Sequence, residues 1–265
     1  MNDTTLSKGE RRREQIMQWL RREGRITLVE LTERIGCSEA TARRDLDMLA
    51  RTDQVIRTIG GAQFDHGGAV KEYSFSEKTW LLRLEKEAIA RKAAALVKEG
   101  DVIGLTGGTT TFLLARELKQ RSGITIVTNA VNIAVELADS EGVQVVLTGG
   151  VMRSKSFELC GPLAQSTVER LNIGTMFIGI DGISVESGLT TYSELEAEIG
   201  RMLISRSKQV VAVFDSSKAG RTSLFSYADL SMLHGCVTDA TLDAHLENRL
   251  QELGITIHYA DPIPS

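Results

Sequence analysis

The chain has only three cysteines, Cys37, Cys160 and Cys236, and no two of them form a CxxC pair. So few, so widely spaced and odd in number, they make no disulfide framework and fit a reducing compartment. The four histidines are equally scattered. No HExxH and no Cys/His cluster has the spacing of a zinc site, so no metal is expected. No apolar run approaches the roughly 18 residues a spanning helix needs. The basic stretch Arg11–Arg13 leads into further charges rather than a signal-peptide core. A cytoplasmic protein without a membrane partner is the expectation.

What is present is ordinary globular composition. Of 265 residues, 42% are hydrophobic and 25% charged, which suits two domains. A chain this long buries roughly 70–75% of its unfolded surface and needs no covalent staples. Its net charge of −4 discourages a nucleic-acid partner at first sight, but the charge is uneven. Residues 7–64 carry 12 Lys/Arg against 9 Asp/Glu, a balance of +3 that leaves −7 on the remainder. Such asymmetry suggests a division of labour.

Three helical patterns open the chain. Residues 8–23 place Ile16 and Leu20 on one stripe with arginines opposite, up to Gly24. Thr27-Leu28-Val29-Glu30 has the spacing of a capping box and starts a short helix carrying Leu28, Leu31 and Ile35. After the break at Gly36-Cys37, Ser38 is a good N-cap for a third helix running to about Ala50. Ala42, Leu46 and Leu49 form its inward face. Ser38, Glu39, Thr41, Arg43 and Arg44 crowd its first turns, and hydroxyls with arginines there suit phosphates and base edges in a major groove. Gln54–Thr58 and Ala62–Phe64 read as strands around Gly60-Gly61, with Arg57 at the approach to the turn. Together these elements spell a small winged helix-turn-helix domain over residues 1–64. The alternative is a helical appendage with a merely solvated basic face.

The segment Ser38-Glu39-Ala40-Thr41-Ala42-Arg43-Arg44-Asp45-Leu46-Asp47-Met48-Leu49, with Arg57 and Gly60-Gly61-Ala62, resembles the DeoR family of bacterial transcriptional regulators. Ala42 stands where many members carry Ile or Val, a change on the packing face. Ile59 stands where the wing often has His.

Residues 65–75 lack periodicity and read as a linker. A long helical pattern from Trp80 to Gly100 follows. Residues 76–265 then alternate apolar strands, at 102–105, 124–127, 143–147, 175–180, 209–214, 232–237 and 255–259, with helices at 111–119, 130–138, 194–206 and 242–252. That order predicts an α/β main domain with a largely parallel sheet covered on both faces. Five polar loops then leave strands at their carboxyl ends, where open parallel sheets bind ligands. They are Thr106-Gly107-Gly108-Thr109-Thr110-Thr111, Thr128-Asn129, Thr148-Gly149-Gly150, Asp181-Gly182 and Asp215-Ser216-Ser217-Lys218.

The first loop can cradle an anion, because glycines admit close approach and the threonines begin a helix whose first amides are free. It is neither a Walker A loop nor GxGxxG, so no dinucleotide cofactor is expected. Lys218 can add a point charge. Asp181, directly after an apolar strand, reads as a ligand carboxylate, and Glu196 as either that or an ordinary helix-start acid. For each loop the competing reading is a tight turn with capping hydroxyls.

The same stretches, with Gly188-Leu189-Thr190-Thr191 and Glu196-Ala197-Glu198, resemble the carboxyl-terminal sensor of DeoR regulators, so the resemblance spans about residues 8–260. It implies a ribose-5-phosphate-isomerase-like fold, an effector that is a phosphorylated sugar or related metabolite, and a repressor that leaves operator DNA when the effector binds. The implied effector residues are Gly107, Gly108, Thr109, Thr110, Thr111, Thr128, Asn129, Gly149, Gly150, Asp181, Gly182, Thr190, Glu196 and Lys218. One departure is Thr106-Gly107, where the family often has an Asp two residues before Gly-Thr-Thr. In the isomerases a second Asp and a Lys follow the first Asp. Here Ser184 and Thr190-Thr191 stand in those places, which implies binding without turnover. An isomerase and an architectural DNA binder are the other classes considered. A homodimer or homotetramer is expected, since one winged helix reads few base pairs.

Overall fold

The computed structural model describes residues 7–23, 25–50, 55–58, 60–64, 72–79 and 81–261. The chain divides into two compact units, Met1–Gly68 and Ala69–Ser265. Gly24, Gln54, Ile59, Trp80 and most of the stretch expected as linker (65–71) lie outside the described residues.

The first unit runs α1 (Lys8–Glu23), β1 (Arg25–Thr27), α2 (Leu28–Ile35), α3 (Glu39–Ala50), β2 (Val55–Thr58) and β3 (Gly61–Phe64). Thr27 caps α2 with the reciprocal Glu30 contacts of a capping box, as its spacing predicts. Gly36 ends α2 at φ 68°, a left-handed conformation that glycine adopts without steric cost, and this sets the turn into α3. Ile16, Leu20, Leu31, Ala42 and Leu46 are fully buried where the three helices meet. The sheet order is β1-β3-β2, so β1, which has no clear signal in the sequence, adds a third strand to the hairpin.

Asp45 is a charge on the inward side of α3, with only 2% of its surface exposed. It accepts hydrogen bonds from Arg12 and, at 3.3 Å, from Arg13, and so ties α1 to α3. Breaking a buried pair typically costs roughly 3–5 kcal/mol, and less where the cations reach solvent as here. Asp45→Ala is therefore expected to destabilise this unit by about 2 kcal/mol. Urea unfolding of the full chain carrying Trp80→Phe, followed by the fluorescence of Trp19, checks it.

The second unit begins with α4 (Phe75–Thr79) and α5 (Arg83–Ala94). The single long helix expected from Trp80 to Gly100 is not formed. Leu82 is left-handed at φ 48° before α5, and Leu81 and Leu82 turn inward to burial. Ser74 and Glu77 cap α4 reciprocally, and Glu72 pairs with Arg153 at 2.9 Å. Residues 72–75, expected as linker, thus pack within the larger unit.

There follow β4 (Val102–Leu105), α6 (Thr109–Leu118), β5 (Ile124–Thr128), α7 (Val131–Leu137), β6 (Val143–Leu147), β7 (Val151–Met152), β8 (Leu159–Cys160), α8 (Pro162–Val168), β9 (Ile173–Gly179), β10 (Gly182–Ser184), β11 (Gly188–Thr191), α9 (Glu194–Ser205), β12 (Ser207–Val213), β13 (Phe225–Ala228), β14 (Gly235–Thr238), α10 (Ala244–Glu252) and β15 (Thr256–Tyr259). The main sheet has seven parallel strands in the order β15-β14-β12-β9-β4-β5-β6. Alternate residues feed two cores: Met176, Ile178, Val210 and Ala212 pack with α8, α9 and α10, while Phe177, Val211, Val213 and Leu105 pack with α5, α6 and α7. Burial on both faces is why the strands read as continuous apolar runs. The β7–β8 hairpin, α8 and the antiparallel sheet β10-β11-β13 were not anticipated. Their strands are too short or too polar to show a period.

Candidate functional site

The strand order determines where a ligand fits. From β4 the chain winds outward through β5 to β6, then crosses back to β9 and winds the other way through β12 to β15. The loops leaving β4 and β9 consequently diverge, and a crevice opens at their carboxyl ends. A cavity of about 90 Å³ lies there.

Of the expected effector residues, Gly107, Gly108, Thr109, Thr110, Asp181, Glu196 and Lys218 line this cavity. Thr109 and Thr110 begin α6, whose first amides have no intrahelical acceptor. Among the described residues their hydroxyls have no hydrogen-bond partner either, and the Lys218 ammonium has neither a hydrogen bond nor an ion pair. Burial holds the Lys218 amine below its ordinary value, opposed by the charges of Asp215 and Asp181. These groups together make an unsatisfied anion receptacle.

Carboxylates form the complementary part of the wall. Asp181 accepts from Lys78 at 2.5 Å and from the Thr191 hydroxyl at 3.2 Å. Despite burial, the Lys78 and Lys218 charges hold its carboxyl below the usual range. Glu196 pairs with Arg153 and takes the Thr191 hydroxyl at 3.1 Å. Glu158, a residue without a local signature in the chain, is buried against Gly107 and lines the cavity beside Glu196. A Cβ at position 107 would lie 2.3 Å from Glu158 Cγ, so only glycine leaves room for this side chain. Burial first, then the Glu196 charge, pushes the Glu158 carboxyl well above its ordinary value.

The other expected residues have different surroundings. Thr111 is fully buried and donates to the Gly108 carbonyl at 3.0 Å. The Thr128 hydroxyl donates to the Leu105 carbonyl at 2.8 Å. Asn129 is fully buried with both amide atoms unpartnered, yet it does not line the cavity, nor do Gly149 and Gly150. Those three follow β5 and β6, on the outward side of the divergence. Thr190 donates to the Gly182 carbonyl and accepts from Ser223, which places both Gly182 and Thr190 in the scaffold of the small sheet. Its neighbour Thr191 faces the carboxylates instead, as the two-residue period of a strand requires.

Thr106 of the first polar loop also lines the cavity, as do Lys78, Lys86, Ser156 and Tyr227, which carry no such expectation. Lys86 donates to the Lys78 carbonyl at 2.8 Å and approaches Asp215 at 3.9 Å. Helix-borne lysines carry no local signature of such a role. Cys160 and Cys236 are buried thiols pushed up to about 12, which leaves them unreactive.

In the first unit, Ser38, Glu39, Arg43 and Arg44 are exposed and Thr41 half-buried on the first turns of α3. Ser38 and Thr41 share a hydroxyl contact at 2.9 Å, and Arg43 pairs with Glu39 one turn away. Arg44 has no hydrogen bond or ion pair among the described residues. Arg57 donates to the Gly61 carbonyl at 2.6 Å and pairs with Asp47 at 2.9 Å, which braces the hairpin against α3. A groove beside the start of α3 adds Lys8, Arg11, Arg12 and Gln15 from α1.

Residues 12–68 match the model of the DeoR-like helix-turn-helix domain, and residues 83–240 that of the DeoR C terminal sensor domain. The chain belongs to the DeoR family of transcriptional regulators. It is 36% identical over 233 residues to the HTH-type transcriptional regulator GlpR of Haloferax volcanii, covering 86% of this chain and 88% of the relative. It is 34% identical over 240 residues to the lactose phosphotransferase system repressor of Lactococcus lactis, covering 89% and 94%. Among solved structures, ribose 5-phosphate isomerase A from Methanocaldococcus jannaschii aligns with 50% of this chain and 52% of its own at 20% identity, with a TM-score of 0.38. No helix among the described residues is long and apolar enough to cross a membrane.

Proposed function

We propose that this chain is a sequence-specific repressor of a carbohydrate-utilisation operon, released from its operator by a phosphorylated sugar. The observation that carries the reading is the pairing, in one cavity, of an unsatisfied anion receptacle with a wall of carboxylates. A phosphate satisfies Lys218, the Thr109 and Thr110 hydroxyls and the free amides of α6, while sugar hydroxyls donate to the acids.

Arg44, with Ser38, Thr41 and the arginines of α1, supplies the groups for groove and phosphate contact. Names of relatives as repressors or regulators support the same role. Two or more subunits present these helices to a repeated site, since specific affinity needs more contact than one winged helix supplies. Effector binding then favours an arrangement that fits the operator poorly; about 2.7 kcal/mol of coupling lowers DNA affinity a hundredfold.

Binding without turnover is supported by Ser184. It stands where isomerases carry a second acid, and it is buried in β10 with its hydroxyl against Thr222 at 3.2 Å. Asp181, the remaining candidate base, is held as an ion pair with Lys78.

The test is fluorescence anisotropy on the protein's own upstream DNA with a panel of sugar phosphates. Release by a sugar phosphate, with no effect of its unphosphorylated parent, is the expected result. Tight binding that no member disturbs would overturn the effector assignment and leave the DNA-binding role standing.

A further inference from the structure

The stretch that leads out of the first unit is fastened to three walls of the cavity in the second. Phe64 ends the last strand of the first unit, and Glu72 follows a short way along the chain. Glu72 pairs with Arg153 at 2.9 Å, and the same guanidinium pairs with Glu196 on the cavity wall. The Phe75 ring stands edge-on to Phe112 of α6 at 5.5 Å, one turn beyond the threonines that open that helix. Lys78 donates to Asp181 at 2.5 Å.

The backbone of the segment is held by the β7–β8 hairpin, whose turn carries Arg153. The Phe75 amide donates to the Lys155 carbonyl at 2.6 Å, and the Phe75 ring meets Phe157 at 5.6 Å. The hairpin is itself tied to the end of β5, since the Leu159 amide donates to the Asn129 carbonyl at 2.7 Å. Each oxygen of the two wall acids already accepts from a protein donor: those of Asp181 from Lys78 and Thr191, those of Glu196 from Arg153 and Thr191. A ligand hydroxyl that donates to either acid shares an oxygen with one of these donors and alters the bond that holds it. Two of the three donors, Lys78 and Arg153, hold the segment.

We propose that residues 72–79 carry the signal between the effector cavity and the DNA-binding unit, with Glu72 and Phe75 as its coupling residues. The assignment rests on the sensor reading above. Coupling between two sites needs an element whose arrangement both of them bias. This segment is joined to the first unit by the chain itself and to the cavity by the three ties. Glu72 and Phe75 are positioning residues, acting through Arg153 and α6, because neither is among the described residues that line the cavity. Lys78 does line it, so binding and coupling are not separable there.

The experiment measures operator affinity of the full chain by fluorescence anisotropy, with and without a saturating aldose or ketose monophosphate of four to six carbons. Isothermal titration without DNA gives the affinity for that monophosphate alone. In wild type the monophosphate that releases operator lowers its affinity about a hundredfold. In the Glu72→Gln/Phe75→Leu double variant that factor is expected to fall to about fivefold or less, with monophosphate affinity within about threefold of wild type. Glu72→Gln alone, which leaves the aromatic packing in place, should lower the factor by about threefold or more. An undiminished factor in the double variant overturns the assignment and moves the signal to other contacts. Loss of monophosphate binding in Glu72→Gln overturns it too, since Glu72 then supports the site and not its coupling. If no monophosphate releases wild type, the sensor reading fails, and this assignment with it.

Discussion

Lys218→Ala is expected to lower effector affinity by roughly 10- to 100-fold while leaving the fold as stable as before. Among the described residues the ammonium has no ion pair, and it faces the same cavity as the free amides of α6, so a phosphate is the partner it lacks. A hydrogen bond to a charged group contributes about 1.5–3 kcal/mol, which corresponds to that range of affinity. Stability behaves differently. Burial depresses the amine in the folded state, so the charged form opposes folding below the unfolded-state value, and the penalty fades as pH rises through the folded one. Removing the amine removes that penalty. Thermal melts with and without the effector separate the two effects: the variant melts at or above the wild-type temperature, and the effector-induced rise is lost. A variant that melts lower and still responds fully would show that Lys218 braces the scaffold and does not touch the ligand.

Arg44→Ala has the second large expected effect, this time on DNA. Arg44 is exposed on α3 with no partner among the described residues, whereas Arg43 is paired with Glu39 and Arg57 with Asp47. An arginine to a base edge is worth about 1–3 kcal/mol, and a two-fold symmetric complex loses it twice. Operator affinity should therefore fall by roughly 30-fold or more, with little change on unrelated DNA at the same salt. The thermal shift produced by the effector should not change, because the sensor cavity belongs to the other unit. Equal loss on specific and unrelated DNA would assign Arg44 to the phosphate backbone. Normal operator affinity would move recognition to another part of the surface.

Local rules predicted much of this molecule. The capping box at Thr27, the turn at Gly36 and the inward stripe of α3 depend on neighbours within one or two helical turns, and those spacings are written in the chain. The apolar run Val102–Leu105 became a strand at the bounds expected, because burial on both faces leaves no room for polar residues. Where the signal was weak, structure differed. Leu82 breaks the helix expected through it, and two-residue strands such as Leu159–Cys160 are too short to show a period.

The chemistry divides in the same way. Sequence alone determined which residues are equipped to bind: glycines and threonines ahead of α6, an acid after β9, a lysine after β12. Only the tertiary structure decided which of them meet. Strand order opens the crevice between β4 and β9, so it gathers Thr110, Asp181 and Lys218 and leaves Gly149 and Gly150 on the far side of β5. Glu158 reaches Gly107 across a gap of some fifty residues through a hairpin pinned to the end of β5. Spacing along a chain encodes contacts within an element, whereas contacts between elements follow from how the sheet is wound.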